Sequence, residues 1–493
     1  MEEQRNIIIL SCVGLYMILC IAVGIWALRR TKSAQDFFMA GRDLGIMVTA
    51  FAVFSTTLSG FGFVGGPGLV YKMGISSVWM FVCIIMGFNI SFFLLGKRLR
   101  LLAELGNAVS LPDVVGLRYG TKSTPFLIAI AILFGVLGYL ATQILAMSVV
   151  LKDILSATEM LQHISLETCV FISCAILVFY SVTGGIIASV YTDLIQGGVM
   201  VVAAVLIFFT VMYTYDGGFT GISQTIQADD PEAIGPWGTL GMIGCLSWFF
   251  VFGLGGSGQP HVITKMMMYQ KPADARRILP VSIGGYLFSA LLWISIGLIM
   301  RALVLSGSHP ELETADSAAA QFLQHYAHPV LAGIVFAGLF AAIMSTADAF
   351  LNIGTAAIMH DIPKTFGLKV KNELFWARTT TVLLTVFSAL FALYTGDLVA
   401  ILGAFGWGTF AAALVPAVTF GLNWKRATAI AANAAILTSL AVNLSIKLTK
   451  TAIPYNIDVG ALSLILSLIV FFAVSLLTPA QKLDPDVEEV MNM

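Results

Sequence analysis

Apolar runs of about 20 residues recur from one end of the chain to the other, and each can cross roughly 30 Å of hydrocarbon as a helix. Short turn-forming segments separate the runs. The pattern predicts thirteen spans at 7-28, 44-70, 77-96, 124-151, 164-183, 188-214, 237-260, 278-300, 328-358, 374-395, 398-420, 428-446 and 458-478. We therefore expect an all-α polytopic membrane protein in which one helical bundle takes up nearly the whole chain.

The composition agrees with this prediction. Of 493 residues, 58% are hydrophobic and 11% are charged, whereas soluble domains have about 25% charged residues. The first run lacks the basic flank and the small-residue cleavage site of a signal peptide, so we expect it to remain as a membrane helix. All six cysteines lie in apolar segments without metal-ligand spacing, which indicates small buried side chains.

The distribution of basic residues predicts the orientation. Loops on one side of the thirteen spans hold 20 of the 26 Lys and Arg residues, and loops on the other side hold 6. Because positive loops stay in the cytoplasm, the N-terminus is expected outside and the C-terminus inside, in the cell membrane. The net charge of -1 suggests no nucleic-acid partner, and no loop is long enough for a soluble domain or indicates an obligate protein partner.

Several functional classes lack their motifs. No GxxxxGK[ST] phosphate loop is present, and neither HExxH nor GxSxG occurs. A primary pump is therefore excluded, and we expect a protein that is not an enzyme. A carrier or a channel remains, with an intramembrane enzyme or a signalling scaffold as a weaker alternative.

Two spans contain segments that are unfavourable for a continuous helix. The second span reads AVFSTTLSGFGFVGGPG (52-68) and the seventh reads VFGLGGSGQPH (251-261). Glycine costs about 1 kcal/mol relative to alanine inside a helix, and proline removes a donor. Interrupted helices at corresponding places in two halves are typical of transporters with inverted repeats and a site at the membrane midplane. Close packing of helices through small residues is the alternative interpretation.

The positions of the interruptions predict the organisation of the chain. An N-terminal extra helix and loop (1-43) precede a first inverted repeat (44-214) and a second one (237-420). Two C-terminal helices (421-478) and a short cytoplasmic tail (479-493) follow. Each repeat has five spans, so the second would enter the membrane from the opposite side.

Beyond the first five residues of each predicted span, the acidic side chains are Asp193 and Asp348, and no Lys or Arg falls there to neutralise them. A carboxylate in a membrane span is costly and is a functional candidate. Ala342, Ser345 and Thr346 share one side of the helix near Asp348. Such oxygens suit a hard cation like sodium, although a proton on a carboxylate remains an alternative.

Several segments resemble the sodium/solute symporter family, which includes carriers of proline, pantothenate, sugars and sialic acid. In chain order they are FFMAGRDLG (37-45), STTLSGFGFVGGPG (55-68), LPDVVGLRYG (111-120), VTGGIIASVYTDLIQGG (182-198), GQPHVITKMM (258-267), AAIMSTADA (341-349) and WGTFAAALVPA (407-417). The resemblance implies the five-plus-five inverted-repeat fold with discontinuous second and seventh helices. It also implies sodium-coupled symport by alternating access.

The resemblance also implies a cation site. The family's common sodium site would be formed by the carbonyls of Ser55, Leu58 and Ala342 and by the hydroxyls of Ser345 and Thr346. Some members bind a second sodium through an aspartate that matches Asp193. At the neighbouring ligand positions of the ninth span this chain has Asp348 and Ala349, so we expect Asp348 to be a cation or proton ligand facing Asp193.

The solute is expected between the two interruptions. The resemblance places eight residues in that region: Thr57, Ser59, Gly60, Gln143, Phe252, Gly256, Gln259 and Trp407. Proline carriers have an acidic residue where this chain has Thr57 and larger aromatic residues at positions 252 and 256, which predicts a roomier pocket. Without a basic side chain in the membrane, a small zwitterion such as proline or a monocarboxylate is expected, with pantothenate or a sugar as alternatives.

Overall fold

The structure is a computed structural model, and it describes residues 2–28, 44–156, 161–368, 370–396, 399–449, 451 and 453–493. The basic loop at 29-43, with most of the FFMAGRDLG segment, lies outside the described residues. The described chain is helical, with one isolated parallel bridge between Leu44 and Tyr269.

The α-helices are numbered in chain order. They are α1 (Glu2–Leu28), α2 (Ile46–Gly60), α3 (Gly66–Met73), α4 (Val78–Ser91), α5 (Lys97–Leu105), α6 (Leu111–Tyr119), α7 (Ser123–Ser156), α8 (Leu166–Thr214), α9 (Gly218–Asp229), α10 (Pro231–Ile234), α11 (Gly241–Trp248), α12 (Pro260–Ile263), α13 (Ala275–Leu305), α14 (Ala318–His325), α15 (Pro329–Ala356), α16 (Ile362–Thr365), α17 (Glu373–Thr395), α18 (Val399–Leu414), α19 (Gly421–Asn423), α20 (Ala429–Thr449), α21 (Val459–Leu477) and α22 (Pro485–Asn492).

Wider and tighter helical turns connect several of these helices. The π-helical segments are Phe61–Gly65, Phe92–Gly96, Phe249–Gly253, Ala357–Asp361 and Val415–Phe420. The 3₁₀ segments are Gly74–Ser77, Gly238–Leu240, Leu254–Gly258, Lys265–Met267, Pro272–Asp274, Ala315–Ser317 and Pro454–Asn456. A π-segment and a 3₁₀ segment therefore meet at the predicted interruption of the seventh span.

The predicted count of thirteen spans is not confirmed. Within the described residues, 10 stretches are long and apolar enough to cross a membrane, and two shorter apolar helices accompany them. One stretch, Ile46–Leu105, has 60 residues, about 90 Å at 1.5 Å per residue, which exceeds a single crossing. Two predicted spans fall within it, so the difference in count does not contradict a polytopic bundle.

The predicted turn at 184-187 is wrong. The backbone is helical throughout α8, which has 49 residues. Two adjacent glycines, Gly184 and Gly185, lie at this place. Glycine raises the cost of a helix by about 1 kcal/mol without removing a hydrogen-bond donor, and no proline follows it in this segment to end the helix.

Glycines allow the helices around α2 to approach closely. A Cβ on Gly197 of α8 would lie 2.8 Å from ring carbons of Phe51 and Phe54, and one on Gly285 of α13 would lie 2.4 Å from the Phe54 ring. On α4, a Cβ on Gly87 would lie 2.6 Å from a carbonyl oxygen of the second interruption. Small residues on neighbouring helices thus allow close packing around both interrupted segments.

The described cysteines are all free. Cys83, Cys169 and Cys245 are buried, and Cys12 and Cys174 are partly buried. This agrees with their predicted role as small packing residues.

Candidate functional site

The first interruption lies at Ser59, one residue before the end of α2. Ser59 has φ 44° and ψ -172°, a region that costs a non-glycine residue roughly 1–3 kcal/mol. The freed amides have partners, because Gly60 N–H donates to Gln143 Oε1 at 2.9 Å and Phe61 N–H donates to Ser59 Oγ at 3.1 Å. The Ser59 hydroxyl also lies 3.3 Å from the Tyr139 hydroxyl. The predicted break is confirmed, and side chains satisfy its amides.

The second interruption ends at Gln259, immediately before Pro260 begins α12. Gln259 has an extended backbone with φ -79° and ψ 108°. Its Nε2 donates to the carbonyls of Gly255 at 3.0 Å and Trp407 at 3.1 Å. Trp407 Nε1 in turn donates to the carbonyl of Val251 at 2.9 Å. Trp407 of α18 therefore binds both the side chain of Gln259 and the unwound backbone, and the solute-binding role predicted for the two residues stays a prediction.

Aromatic rings surround His261, which is two residues beyond Gln259. Its ring centroid lies 4.7 Å from that of Phe350, 5.7 Å from Trp407 and 5.9 Å from Tyr139. The Phe252 ring lies 5.6 Å from the Trp407 ring, so this predicted residue joins the same group. A buried imidazole between aromatic faces was not predicted from the sequence.

Polar atoms without a partner mark the space between the interruptions. Gln143 Nε2, Gln259 Oε1 and both ring nitrogens of His261 have no hydrogen-bond partner among the described residues, although all three side chains are buried. Leaving such a group unsatisfied costs about 1–3 kcal/mol. These buried donors and acceptors therefore have hydrogen-bonding capacity that the described residues do not use.

Two other predicted residues have different surroundings. A Cβ on Gly256 would lie 2.9 Å from the Cα of Gly87, so Gly256 permits contact between the unwound segment and α4. The Thr57 hydroxyl donates to the carbonyl of Val53 at 2.8 Å within α2. Both residues are next to the interruptions, but their observed contacts are with neighbouring backbone.

The predicted sodium ligands lie where α15 contacts the last turns of α2. Thr346 Oγ1 donates to the carbonyl of Thr56 at 3.2 Å and to that of Ala342 at 3.0 Å. Ser55 and Leu58 are completely buried in the same part of α2, immediately before the interruption. The two helices thus bring these backbone and hydroxyl oxygens to one region.

The expectation that Asp193 has no basic partner is wrong. Lys265 was assigned to a cytoplasmic loop, but its side chain is 2% exposed and its Nζ lies 3.2 Å from Asp193 Oδ2. The same ammonium donates to the Ala52 carbonyl at 2.7 Å and to Thr56 Oγ1 at 3.0 Å. The Ser345 hydroxyl donates to the other oxygen of Asp193. Lys265, in the short segment after the second interruption, therefore places a positive charge in the interior of the protein.

Asp348 belongs to the same buried cluster. The carboxylate lies near the Ser181 and Ser189 hydroxyls, and it is close enough to Asp193 and Lys265 for their charges to affect it. It is 1% exposed, and its Oδ2 has no hydrogen-bond partner in the described part of the chain. With all three charged groups ionised, the cluster of Asp193, Asp348 and Lys265 has a formal charge of -1.

A cavity extends from this cluster along α15. His261, Lys265 and Asn352 line one part of it, and Ser110 and Asp361 line another. The side-chain amide nitrogen of Asn352 has no partner within the described ranges. The cavity therefore connects the region of the buried charges with the end of α15.

A second polar cluster joins the end of α15 to α6. Asp113 accepts hydrogen bonds from Lys364 Nζ at 2.6 Å and His360 Nε2 at 3.1 Å. Burial raises the pKa of Asp113, but the bonds from His360 and Lys364 outweigh it and lower that pKa to about 2. Asp361 accepts a hydrogen bond from the Ser110 hydroxyl. Although Asp113, His360 and Asp361 have metal-ligand chemistry, Lys364 already neutralises Asp113.

Sequence reasoning missed Lys265 because its charge was counted together with those of a loop. Apolar residues lie on both sides of it in HVITKMMMY (261-269), and the next basic residue is Lys271. A single lysine in an apolar segment beside a predicted interruption is a signal that could have been recognised. His261 could have been recognised from the same segment, since it directly follows the Gln-Pro pair.

Comparisons with known proteins identify related transporters. Residues 37–439 match the model of the sodium:solute symporter family. The osmoregulated proline transporter OpuE of Bacillus subtilis is 26% identical over 487 residues, which cover 96% of this chain and 95% of that protein. The sodium/proline symporter of Staphylococcus aureus is 27% identical over 496 residues, which cover 98% and 95%.

Solved structures show the same fold. A Na⁺-coupled sialic acid symporter in a substrate-bound outward-open state superposes with a TM-score of 0.78 at 19% identity, covering 97% of this chain and 99% of that chain. The nucleobase-cation symporter Mhp1 in a closed conformation has a TM-score of 0.57 at 13% identity, covering 94% and 99%. The all-α fold with two interrupted helices is thus confirmed.

Proposed function

The chain belongs to the sodium:solute symporter family, and from this premise we propose that it takes up a small amino-acid-like zwitterion together with sodium, with proline as the first candidate. Sodium-coupled symport of a small solute is the function of the family. Proline is the solute in the names of the relatives that match nearly the full length of this chain. The solute and the residues that bind it are the part that needs an experiment.

One observation supports a solute site between the interruptions. Gln143, Gln259 and His261 present unpaired donors and acceptors next to the aromatic rings of Tyr139 and Trp407. Polar atoms suit the ends of a zwitterion, and the rings suit a compact apolar body. The two interrupted helices would supply further backbone groups, as in other transporters with inverted repeats.

The charge of the buried cluster supports a single external cation. Two carboxylates and one ammonium leave a formal charge of -1, which is costly in a site that excludes water. One sodium ion would neutralise it, and the oxygens of Ser345, Thr346 and the last turns of α2 are suitable ligands for that ion. A proton on Asp348 would neutralise the cluster equally well, so proton coupling is the second candidate.

The direct test is uptake by the purified chain in proteoliposomes. We expect radiolabelled L-proline to accumulate against its gradient when sodium is outside, and no accumulation when choline or potassium replaces sodium. A panel of other amino acids, pantothenate, short carboxylates and hexoses identifies the solute if proline is not transported. Accumulation driven equally well by an imposed proton gradient in sodium-free medium would contradict sodium coupling.

A matched pair of variants tests the cation ligands. Thr346 and Thr210 each donate the side-chain hydroxyl to the carbonyl four residues earlier, at 3.0 and 2.9 Å. Thr210 lies near the C-terminal end of α8, away from the site. Losing a polar contact with an ion costs about 1.5–3 kcal/mol. Thr346→Ala should therefore raise the sodium concentration for half-maximal uptake about tenfold or more, whereas Thr210→Ala should leave it unchanged. Equal values for the two variants would contradict the proposed site.

We also propose that the N-terminus lies outside and the C-terminus in the cytoplasm. The support is the excess of basic residues on one side of the predicted spans, which remains 19 to 6 when the buried Lys265 is left out of the 20. Labelling of single cysteines in α22 with a membrane-impermeant thiol reagent checks it. We expect labelling only after the membrane of intact cells is opened.

A further inference from the structure

The Lys265 ammonium has the surroundings of a bound cation. Its three hydrogen-bond acceptors are a carbonyl oxygen of Ala52, a hydroxyl oxygen of Thr56 and a carboxylate oxygen of Asp193, at 2.7, 3.0 and 3.2 Å. A lysine ammonium has three N–H donors, so each of them has a partner. Carbonyl, hydroxyl and carboxylate oxygens are also the ligands that hard cations prefer.

Both oxygens of the Asp193 carboxylate already have a partner within the protein. Its Oδ1 accepts the hydrogen bond from the Ser345 hydroxyl and its Oδ2 contacts Lys265. Asp193 is fully buried, and an unpaired charge there would be very unfavourable. The unpaired carboxylate oxygen of the cluster belongs to Asp348 instead.

We propose that Lys265 acts as a built-in cation that occupies the place of a second ion at Asp193, so that this chain binds one sodium per solute. The proposal rests on the proposed function, since it presupposes sodium coupling. The charge of the cluster gives its prediction. With Lys265 the cluster has a charge of -1, which one bound sodium ion neutralises. Without the ammonium the cluster has a charge of -2, which two bound sodium ions neutralise.

The position of Lys265 in the chain gives this cation a second property. It lies six residues after Gln259, in the segment that continues from the second interruption, while Asp193 lies on α8. The ion pair therefore joins two elements that are far apart in sequence. A mobile ion at Asp193 would enter and leave during transport, but a tethered ammonium stays and keeps the charge of this place constant.

The experiment counts the sodium ions that bind to the purified full-length chain in detergent, by equilibrium binding of ²²Na⁺. We expect one ion per chain for the wild type and for Lys265→Arg, which keeps the charge. We expect two ions per chain for Lys265→Gln and Lys265→Ala. The double variant Asp193→Asn with Lys265→Gln has a cluster charge of -1 again, so it should return to one.

The possible outcomes separate this proposal from the proposed function. Two ions per wild-type chain, or one ion in both Lys265→Gln and Lys265→Ala, would overturn the role of Lys265 and leave sodium coupling intact. Absence of sodium binding to a correctly folded wild-type chain would instead overturn the proposed sodium site. A purely structural ion pair would not change the number of ions bound.

Thermal unfolding provides a second measurement if the variants bind too weakly for counting. An ion that binds only the folded state stabilises it by RT ln(1 + [Na⁺]/Kd). Lys265→Gln should therefore be less stable than the wild type in choline chloride, and sodium should recover more of its apparent Tm than it adds to the wild type. The same sodium dependence in both proteins would overturn the proposal.

Discussion

Replacing Asp193 by asparagine should strongly destabilise the protein, because it removes the carboxylate that contacts the buried Lys265 ammonium and leaves only the more distant Asp348 as a counter-charge. The ammonium is 2% exposed and the carboxylate is fully buried. Removing one partner of a buried ion pair costs about 3–5 kcal/mol. Unfolding entropies near 2.1 cal/mol/K per residue give about 1 kcal/mol/K for a chain of this length, so the apparent Tm should fall by about 3–5 °C.

A double-mutant cycle separates the ion pair from other effects of the substitutions. Asp193→Asn and Lys265→Gln should each destabilise the protein, and the double variant should be more stable than the sum of the two losses predicts. We expect a coupling energy of about 2 kcal/mol or more between the two sites. The assay is thermal unfolding of purified protein in choline chloride, since sodium would compensate for the positive charge that Lys265→Gln removes.

The chain offers a matched control at its surface. Lys425 Nζ lies 2.8 Å from Glu488 Oε1, but the two side chains are 44% and 47% exposed. Exposed pairs contribute about 0.2–1 kcal/mol, so the same cycle with Lys425→Gln and Glu488→Gln should give a small coupling energy. A coupling at the buried pair no larger than at this surface pair would refute the reasoning.

Three further predictions concern packing, solute binding and pH. Gly285→Ala should lower the apparent Tm by about 1–3 °C, since overpacking against the Phe54 ring costs about 1–3 kcal/mol. Gly284→Ala is the control, because its Cβ would meet nothing within 4 Å and the apparent Tm should not change. Equal shifts of Tm in the two variants would contradict the packing. Gln143→Ala should raise the solute concentration for half-maximal uptake about tenfold, because the interruption loses its hydrogen-bond acceptor, and an unchanged value would exclude this residue from the site. Burial, partly offset by a backbone hydrogen bond, raises the pKa of Asp316 to about 6. Because this pKa is raised in the folded state, its contribution to stability is present below about pH 4 and is lost as pH rises through about 6. Asp316→Asn should therefore make the apparent Tm less dependent on pH between about pH 4 and 7. An unaltered dependence of Tm on pH would refute this prediction.

The positions of the two interruptions could be predicted from sequence, because glycine, serine and proline act locally on the backbone. The run around Ser59 and the Gln-Pro pair at 259-260 indicated them directly. The partners of the freed groups could not be predicted in the same way. Gln143 is 83 residues from Gly60, and only the packed fold brings them together.

The charge of the site illustrates the limit of hydropathy. Asp193 and Asp348 were found because a carboxylate is conspicuous in an apolar span. Lys265 lies outside the span assigned by hydropathy, yet the helices around it exclude water. A window average reports the sequence neighbourhood of a residue, whereas burial depends on neighbours in space.

The side-chain acceptors at the first interruption have a consequence for the speed and strength of binding. The amides at Gly60 and Phe61 already have partners within the protein, so the unwound turn keeps its shape without any cargo. An arriving solute or ion then need not order this backbone, and little of its affinity is lost to conformational entropy. The opposite faces of the carrier can open and close around such a preorganised cradle by moving whole helices.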